Sequence, residues 1–127
     1  SVIPKENNKI LIVKKETLLG AIRRVSIFSN KSTHQIAVSL EKSVCTISTE
    51  DPEKSSKAQE KFEVEYEGSP IKIGYNAEYL KDVINHIHGE SVLVKLNTPV
   101  GASLFLPEKK EKGIDCLMLL MPIRLND

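Results

Sequence analysis

The sequence predicts an α+β fold in which two helices pack on antiparallel sheets, and three observations predict it. Only two segments carry apolar residues at helical spacing, against about eight strand-like runs. The order strand, helix, three strands occurs twice, at a spacing of roughly 60 residues. A doubly wound parallel sheet needs a helix after nearly every strand, and this chain lacks them. Two βαβββ repeats with both helices on one side of antiparallel sheet are the economical solution.

Each element has its own signal. Lys9 to Lys14, KILIVK, reads as a strand. Glu16 to Ser29 reads as a helix, because Leu18, Ala21, Ile22 and Val25 recur at i, i+3, i+4 and i+7. Gln35 to Glu41 sets Ile36, Val38 and Leu40 on one side of a strand, and Val44 to Thr49 is rich in β-branched residues. Glu50 to Glu60, EDPEKSSKAQE, is a polar loop or a frayed strand start. Lys61 to Glu67 alternates strictly, with Phe62, Val64 and Tyr66 facing one way and Glu63, Glu65 and Glu67 the other.

The order then repeats. Ile71 to Gly74 is a short strand, and Asn76 to His88 is a helix with Leu80, Val83, Ile84 and Ile87 as its apolar stripe. Asn76 suits the N-cap and Gly89 the left-handed position past the end. Strands follow at Ser91 to Leu96, Ala102 to Leu106 and Ile114 to Met121, with Asn97–Gly101 and Pro107–Gly113 as turns.

At 127 residues, 28% charged and 40% hydrophobic, the chain suits one globular domain spanning 1–127. A net charge of +1 announces neither a nucleic acid nor a membrane, so only the local distribution of charge can. No apolar run approaches the ~20 residues of a membrane span, and no signal peptide is visible. Cys45 and Cys116 form no CxxC and sit in apolar runs, as buried free thiols of the cytoplasm do. Ser1 stands where a methionine would start a chain, which reads as a piece of something longer or as a processed product.

Charge sorts by face. The first helix and its approach carry Lys14, Lys15, Arg23 and Arg24 against Glu16, and the second exposes Lys81 and Asn85, with His86 beside them. Acids gather on the strand of Glu63, Glu65 and Glu67. A basic face shared by two helices can hold duplex DNA by its phosphates without reading bases. The plainer reading is a solvated charged surface.

The end of the chain, CLMLLMPIRL from Cys116 to Leu125, is apolar on both faces. With Cys116, Met118 and Leu120 turned to the core, Leu117, Leu119 and Met121 face outward. Contiguous exposed apolar surface marks a binding site, and methionine suits one that adapts to several partners. Pro122 ends the ladder for want of an N–H, and Arg124 offers a fork of donors. The alternative is a strand buried on both faces between sheet and helices.

No catalytic or metal constellation emerges. His86 and His88 are spaced i, i+2 and do not face each other on a helix. Asp51, Asp82 and Asp115 do not cluster by any visible logic, and neither a nucleophile elbow nor a phosphate loop is present. No metal, no cofactor and no enzymatic activity are expected.

GYNAEYLKDVIN (Gly74 to Asn85) and LLMPIRL (Leu119 to Leu125), together with SVIP (Ser1 to Pro4) and AIRRVSIFSN (Ala21 to Asn30), resemble the C-terminal domain of the bacterial β sliding clamp. That family is the processivity subunit of DNA polymerase III. The resemblance covers nearly the whole chain. It implies the DNA-clamp fold, three such domains per full-length subunit, and a head-to-tail homodimeric ring around duplex DNA, helices inside and sheets outside. Ser1 then ends an interdomain linker.

The resemblance further implies a hydrophobic pocket that docks short peptides from the DNA polymerase III catalytic subunit, the clamp loader and other clamp-binding-motif proteins. The matching positions are Val2, Asn76, Tyr79, Val100, Leu119, Met121, Pro122, Ile123 and Arg124. It puts Ile27, Phe28 and Glu60 at the subunit interface, and with the charge reading it turns Lys15, Arg23, Arg24 and Lys81 toward DNA. Asn126 and Asp127 extend past the usual end, Ile123 stands where methionine is frequent, and one extra residue falls between Pro52 and Tyr66. The rival readings are a freestanding α+β ligand-binding or regulatory module and an enzyme with an unrecognised site.

Overall fold

The alternation in KILIVK becomes strand β1, Lys9–Lys14, with Leu11 and Val13 buried. The computed structural model describes residues 9–108, 118–123 and 125. Helix α1 (Lys15–Ser26) follows, then β2 (Gln35–Glu41), β3 (Val44–Asp51), β4 (Ser56–Glu63) and β5 (Glu65–Glu67). The second half holds β6 (Ile71–Asn76), α2 (Ala77–Asn85), β7 (Ser91–Leu96), β8 (Ser103–Pro107) and β9 (Met118–Leu120). One sheet runs β5-β1-β7-β8-β9 and the other β4-β3-β2-β6, with antiparallel pairing throughout.

The two repeats exchange their leading strands. β1 of the first half pairs with β7 of the second, from Lys9↔Leu96 to Lys14↔Ser91. β6 of the second pairs with β2 of the first, from Gln35↔Asn76 to Leu40↔Ile71. Neither half can therefore complete its sheet alone. α1 and α2 touch, and the Lys15 ammonium donates to the carbonyl oxygen of Ile87 at 2.8 Å, tying the start of one helix to the end of the other. Leu18, Ala21, Ile22 and Val25 of α1 and Leu80, Val83, Ile84 and Ile87 of the α2 stripe are all buried, as their spacing predicts. Leu19, Ile36, Ile47, Ile73 and Phe105 fill the space between.

Several boundaries differ from the sequence reading. α2 ends at Asn85, three residues short of His88, where Ile87 N–H turns to Ile84 O. β3 and β6 each run two residues further, to Asp51 and Asn76, and β8 sits one residue later, at Ser103–Pro107. α1 stops at Ser26, because the chain tightens there: Phe28 N–H donates to Val25 O and Ser29 N–H to Ser26 O. The Ser29 hydroxyl takes the Ser26 carbonyl as well, at 2.7 Å, competing with helix continuation. The polar stretch from Ser56 to Glu60 is strand, held by an eight-pair ladder with β3. Its half-buried positions include Ser56 and Glu60, so no apolar alternation announced it.

The run from Lys61 to Glu67 is two strands in different sheets. β3 begins at Val44, opposite Glu63, and offers no further partner. The chain steps across at Val64, whose N–H donates to Ser43 O, and Tyr66 then pairs with Leu11 of β1. The expected alternation survives the step: Phe62, Val64 and Tyr66 turn inward and the three glutamates outward. Of the expected last strand, Met118–Leu120 is seen, and Ile114 to Leu117, Cys116 among them, lie outside the described residues.

Candidate functional site

The site is assembled by one core contact. Tyr75, near the end of β6, is buried, and its hydroxyl hydrogen-bonds that of Ser103 at the start of β8. Its ring meets Phe105 edge-on at 6.5 Å. Ser103 in turn pairs with Leu120 at the end of β9. Three pieces of chain thereby come to one end of the molecule: the start of α2, the turn before β8 and the exit from β9.

Each piece presents apolar surface. Asn76 caps α2, its side-chain oxygen accepting from Glu78 N–H at 2.9 Å and Tyr79 N–H at 3.2 Å. That capped first turn holds Tyr79 outward, 65% exposed. Val100 stands in the turn before β8, closed by Gly101 N–H donating to Thr98 O. On β9 Met118 and Leu120 pack on the core, while Leu119 and, just past the strand, Met121 point away, 51% and 65% exposed. Pro122 and Ile123 are half-buried, and Ile123 N–H donates to Gly74 O at 2.7 Å, carrying the tail from the β9 sheet to β6 of the other. Val2 and Arg124 lie outside the described residues.

A second apolar pair ends α1. Ile27 and Phe28 are exposed. One turn earlier, the Arg24 guanidinium grips Glu60 of edge strand β4 with two bonds, at 2.6 and 2.8 Å. Arg24 thereby holds the Glu60 carboxyl below the usual carboxylate range, chiefly by the hydrogen bond, with slight burial opposing. Among the described residues, seven large apolar side chains are exposed, and six are Tyr79, Val100, Leu119, Met121, Ile27 and Phe28. The seventh, Val44, belongs to neither group.

The helix cations are more engaged than their sequence suggests. Lys15 holds the Ile87 carbonyl just past α2, Arg24 holds Glu60, and Lys81 pairs with Glu78 at 2.7 Å. Arg23 is exposed. His86 bonds back to the Asp82 carbonyl on its own helix. Among the described residues, no cluster of three or more His, Cys, Asp or Glu side chains could hold a metal ion. Cys45 is buried, and burial pushes its thiol up to about 12, which leaves it protonated and unreactive. No helix among the described residues is long and apolar enough to cross a membrane.

Residues 1–124 match the family described as DNA polymerase III beta subunit, C-terminal domain. The chain belongs to that family. Beta sliding clamps of Caulobacter vibrioides and Vibrio cholerae are each 31% identical over 124 residues, covering 98% of this chain and 32% and 33% of the relatives. A crystal structure of the DnaN sliding clamp of Bartonella birtlesii bound to griselimycin is similar at a TM-score of 0.89 and 27% identity, covering 98% of this chain and 32% of that one. The Pseudomonas aeruginosa sliding clamp bound to griselimycin is similar at 0.87 and 30% identity, with the same coverage. The chain thus spans about a third of the length of these clamps, and its two sheets and two helices are the clamp fold.

Sequence reasoning missed the contacts of Gly74, Tyr75 and Ser103 that bring these pieces of chain together. Gly74 and Tyr75 lie inside the motif GYN, yet their partners Ile123 and Ser103 are remote in sequence. No local pattern encodes such pairings.

Proposed function

We propose that this chain is the C-terminal domain of a non-catalytic processivity clamp for bacterial DNA polymerase III. The full-length protein, on this reading, is a cytoplasmic head-to-tail dimer whose ring encircles duplex DNA and slides on it. Tethering turns dissociation of the polymerase into diffusion along the template, so effective concentration does the work. The helix face meets DNA weakly and without sequence preference, and salt weakens that contact. Arg23 is its most available cation, since Lys15, Arg24 and Lys81 are engaged within the domain.

Tyr79, Val100, Leu119 and Met121, with Asn76, Pro122 and Ile123 and with Val2 and Arg124 of the matched set, form one domain's share of a peptide-docking pocket. The polymerase catalytic subunit, the clamp loader and other proteins bearing the same short motif dock there. Ile27, Phe28 and Glu60 form part of the contact with the other subunit. The observation that carries this reading is the gathering of exposed apolar side chains at the one end where α2, β8 and β9 meet. Isolated exposed apolar residues need no explanation, but a contiguous group does.

Calorimetric titration with a synthetic peptide of the form Gln-x-x-Leu-x-Phe tests it. Binding is expected, weaker than to a complete clamp, and Tyr79→Ala or Met121→Ala weakens it further. If neither substitution changes the affinity, the pocket assignment is wrong.

A further inference from the structure

The C-terminal tail leaves the β9 sheet after Leu120 and lies along β6, the edge strand of the other sheet. On β6, strand alternation puts Gly74 on the face of exposed Lys72, opposite Ile71, Ile73 and Tyr75, yet Gly74 is itself buried. A Cβ built on Gly74 would stand 2.6 Å from the Ile123 carbonyl oxygen, 2.6 Å from Leu125 Cδ2 and 2.8 Å from Leu125 Cγ. Leu125 could swing its side chain aside. The Ile123 carbonyl belongs to the backbone and cannot yield without moving the tail. Across the ladder Gly74 pairs with Ala37, another small residue, and Leu125 and Ala37 line the same groove on this outer face.

We propose that Gly74 is a positioning residue for peptide docking: its missing side chain is the seat that lets the tail lie on β6 and so fixes Met121, Pro122 and Ile123 beside Tyr79. This rests on the docking reading above. The seat is a matter of space, since the clash distances alone exclude a methyl group there. One hydrogen bond, Ile123 N–H to Gly74 O, reports it.

The test is Gly74→Ala in the full 127-residue chain, read three ways. Amide exchange at Ile123 is expected to speed up, because its acceptor is lost when the tail lifts. The thermal unfolding midpoint is expected to hold or rise, because alanine suits a strand better than glycine. Affinity for the Gln-x-x-Leu-x-Phe peptide is expected to fall roughly fivefold, a coupling of ordinary size for adjoining groups.

An unchanged Ile123 exchange rate overturns the seat. A wild-type chain that binds the peptide while Gly74→Ala binds it equally well overturns the positioning role alone. A wild-type chain that binds no peptide overturns the docking reading and the positioning role together, while Ile123 exchange still reports the seat.

Discussion

The Tyr75 hydroxyl meets the Ser103 hydroxyl inside the core, joining β6 of one sheet to β8 of the other. Tyr75 is 2% exposed and Ser103 1%. The pair links the strand that leads into α2 to the strand that supports β9.

Removing one partner leaves the other buried and unsatisfied, which costs about 1–3 kcal/mol. Tyr75→Phe is therefore expected to lower stability in urea by that amount, and Tyr75→Phe with Ser103→Ala to lose less than the two single changes summed. Burial also pushes the Tyr75 hydroxyl up to about 12, against the lowering effect of Ser103. A raised folded value means that the stabilisation is complete below the unfolded value near 10 and is lost as pH rises toward 12. Between pH 9 and 12 the wild type is expected to lose on the order of 2–3 kcal/mol more than Tyr75→Phe. Parallel pH profiles for the two proteins would contradict this.

Asn76 accepts from two N–H groups at the start of α2. Asn76→Ala is expected to cost about 1 kcal/mol, and Asn76→Ser to recover most of it, because a hydroxyl can also cap. Chemical denaturation of the three proteins checks the order. If alanine and serine are equally damaging, the side chain matters for something other than the cap.

The Arg24–Glu60 pair should behave as an exposed ion pair does. The Glu60 carboxyl is held low, so its contribution is present above the ordinary carboxylate range and disappears as pH falls through the folded value. Glu60→Gln is expected to lower the unfolding temperature slightly at pH 7, with the gap shrinking as acid protonates Glu60 and closing in high salt. A gap that survives both acid and salt would mean that packing, not charge, is what Glu60 supplies.

Much of this was legible in the sequence, for identifiable reasons. Leu18, Ala21, Ile22 and Val25 mark a buried helix face because helical spacing is local. Leu119 and Met121 could be assigned outward because strand alternation is local too. β4 was hidden because Ser56 and Glu60 occupy half-buried positions and its order comes from the ladder with β3. The exchange of β1 and β6 between halves has no sequence signature at all, since partners about 80 residues apart for β1 and β7, and about 35 for β2 and β6, leave no local trace. The Gly74 seat was invisible for the same reason: a glycine in a strand signals close approach, but not by what.

The most direct measurement is a backbone amide chemical-shift map of the isotopically labelled chain titrated with the Gln-x-x-Leu-x-Phe peptide. Tyr79, Val100, Leu119 and Met121 are expected to shift together along one saturating curve, with Ile27, Phe28 and Val44 unmoved. Shifts centred on Ile27 and Phe28, or spread over the outer face of β3 and β4 with the Tyr79 end silent, would contradict the account.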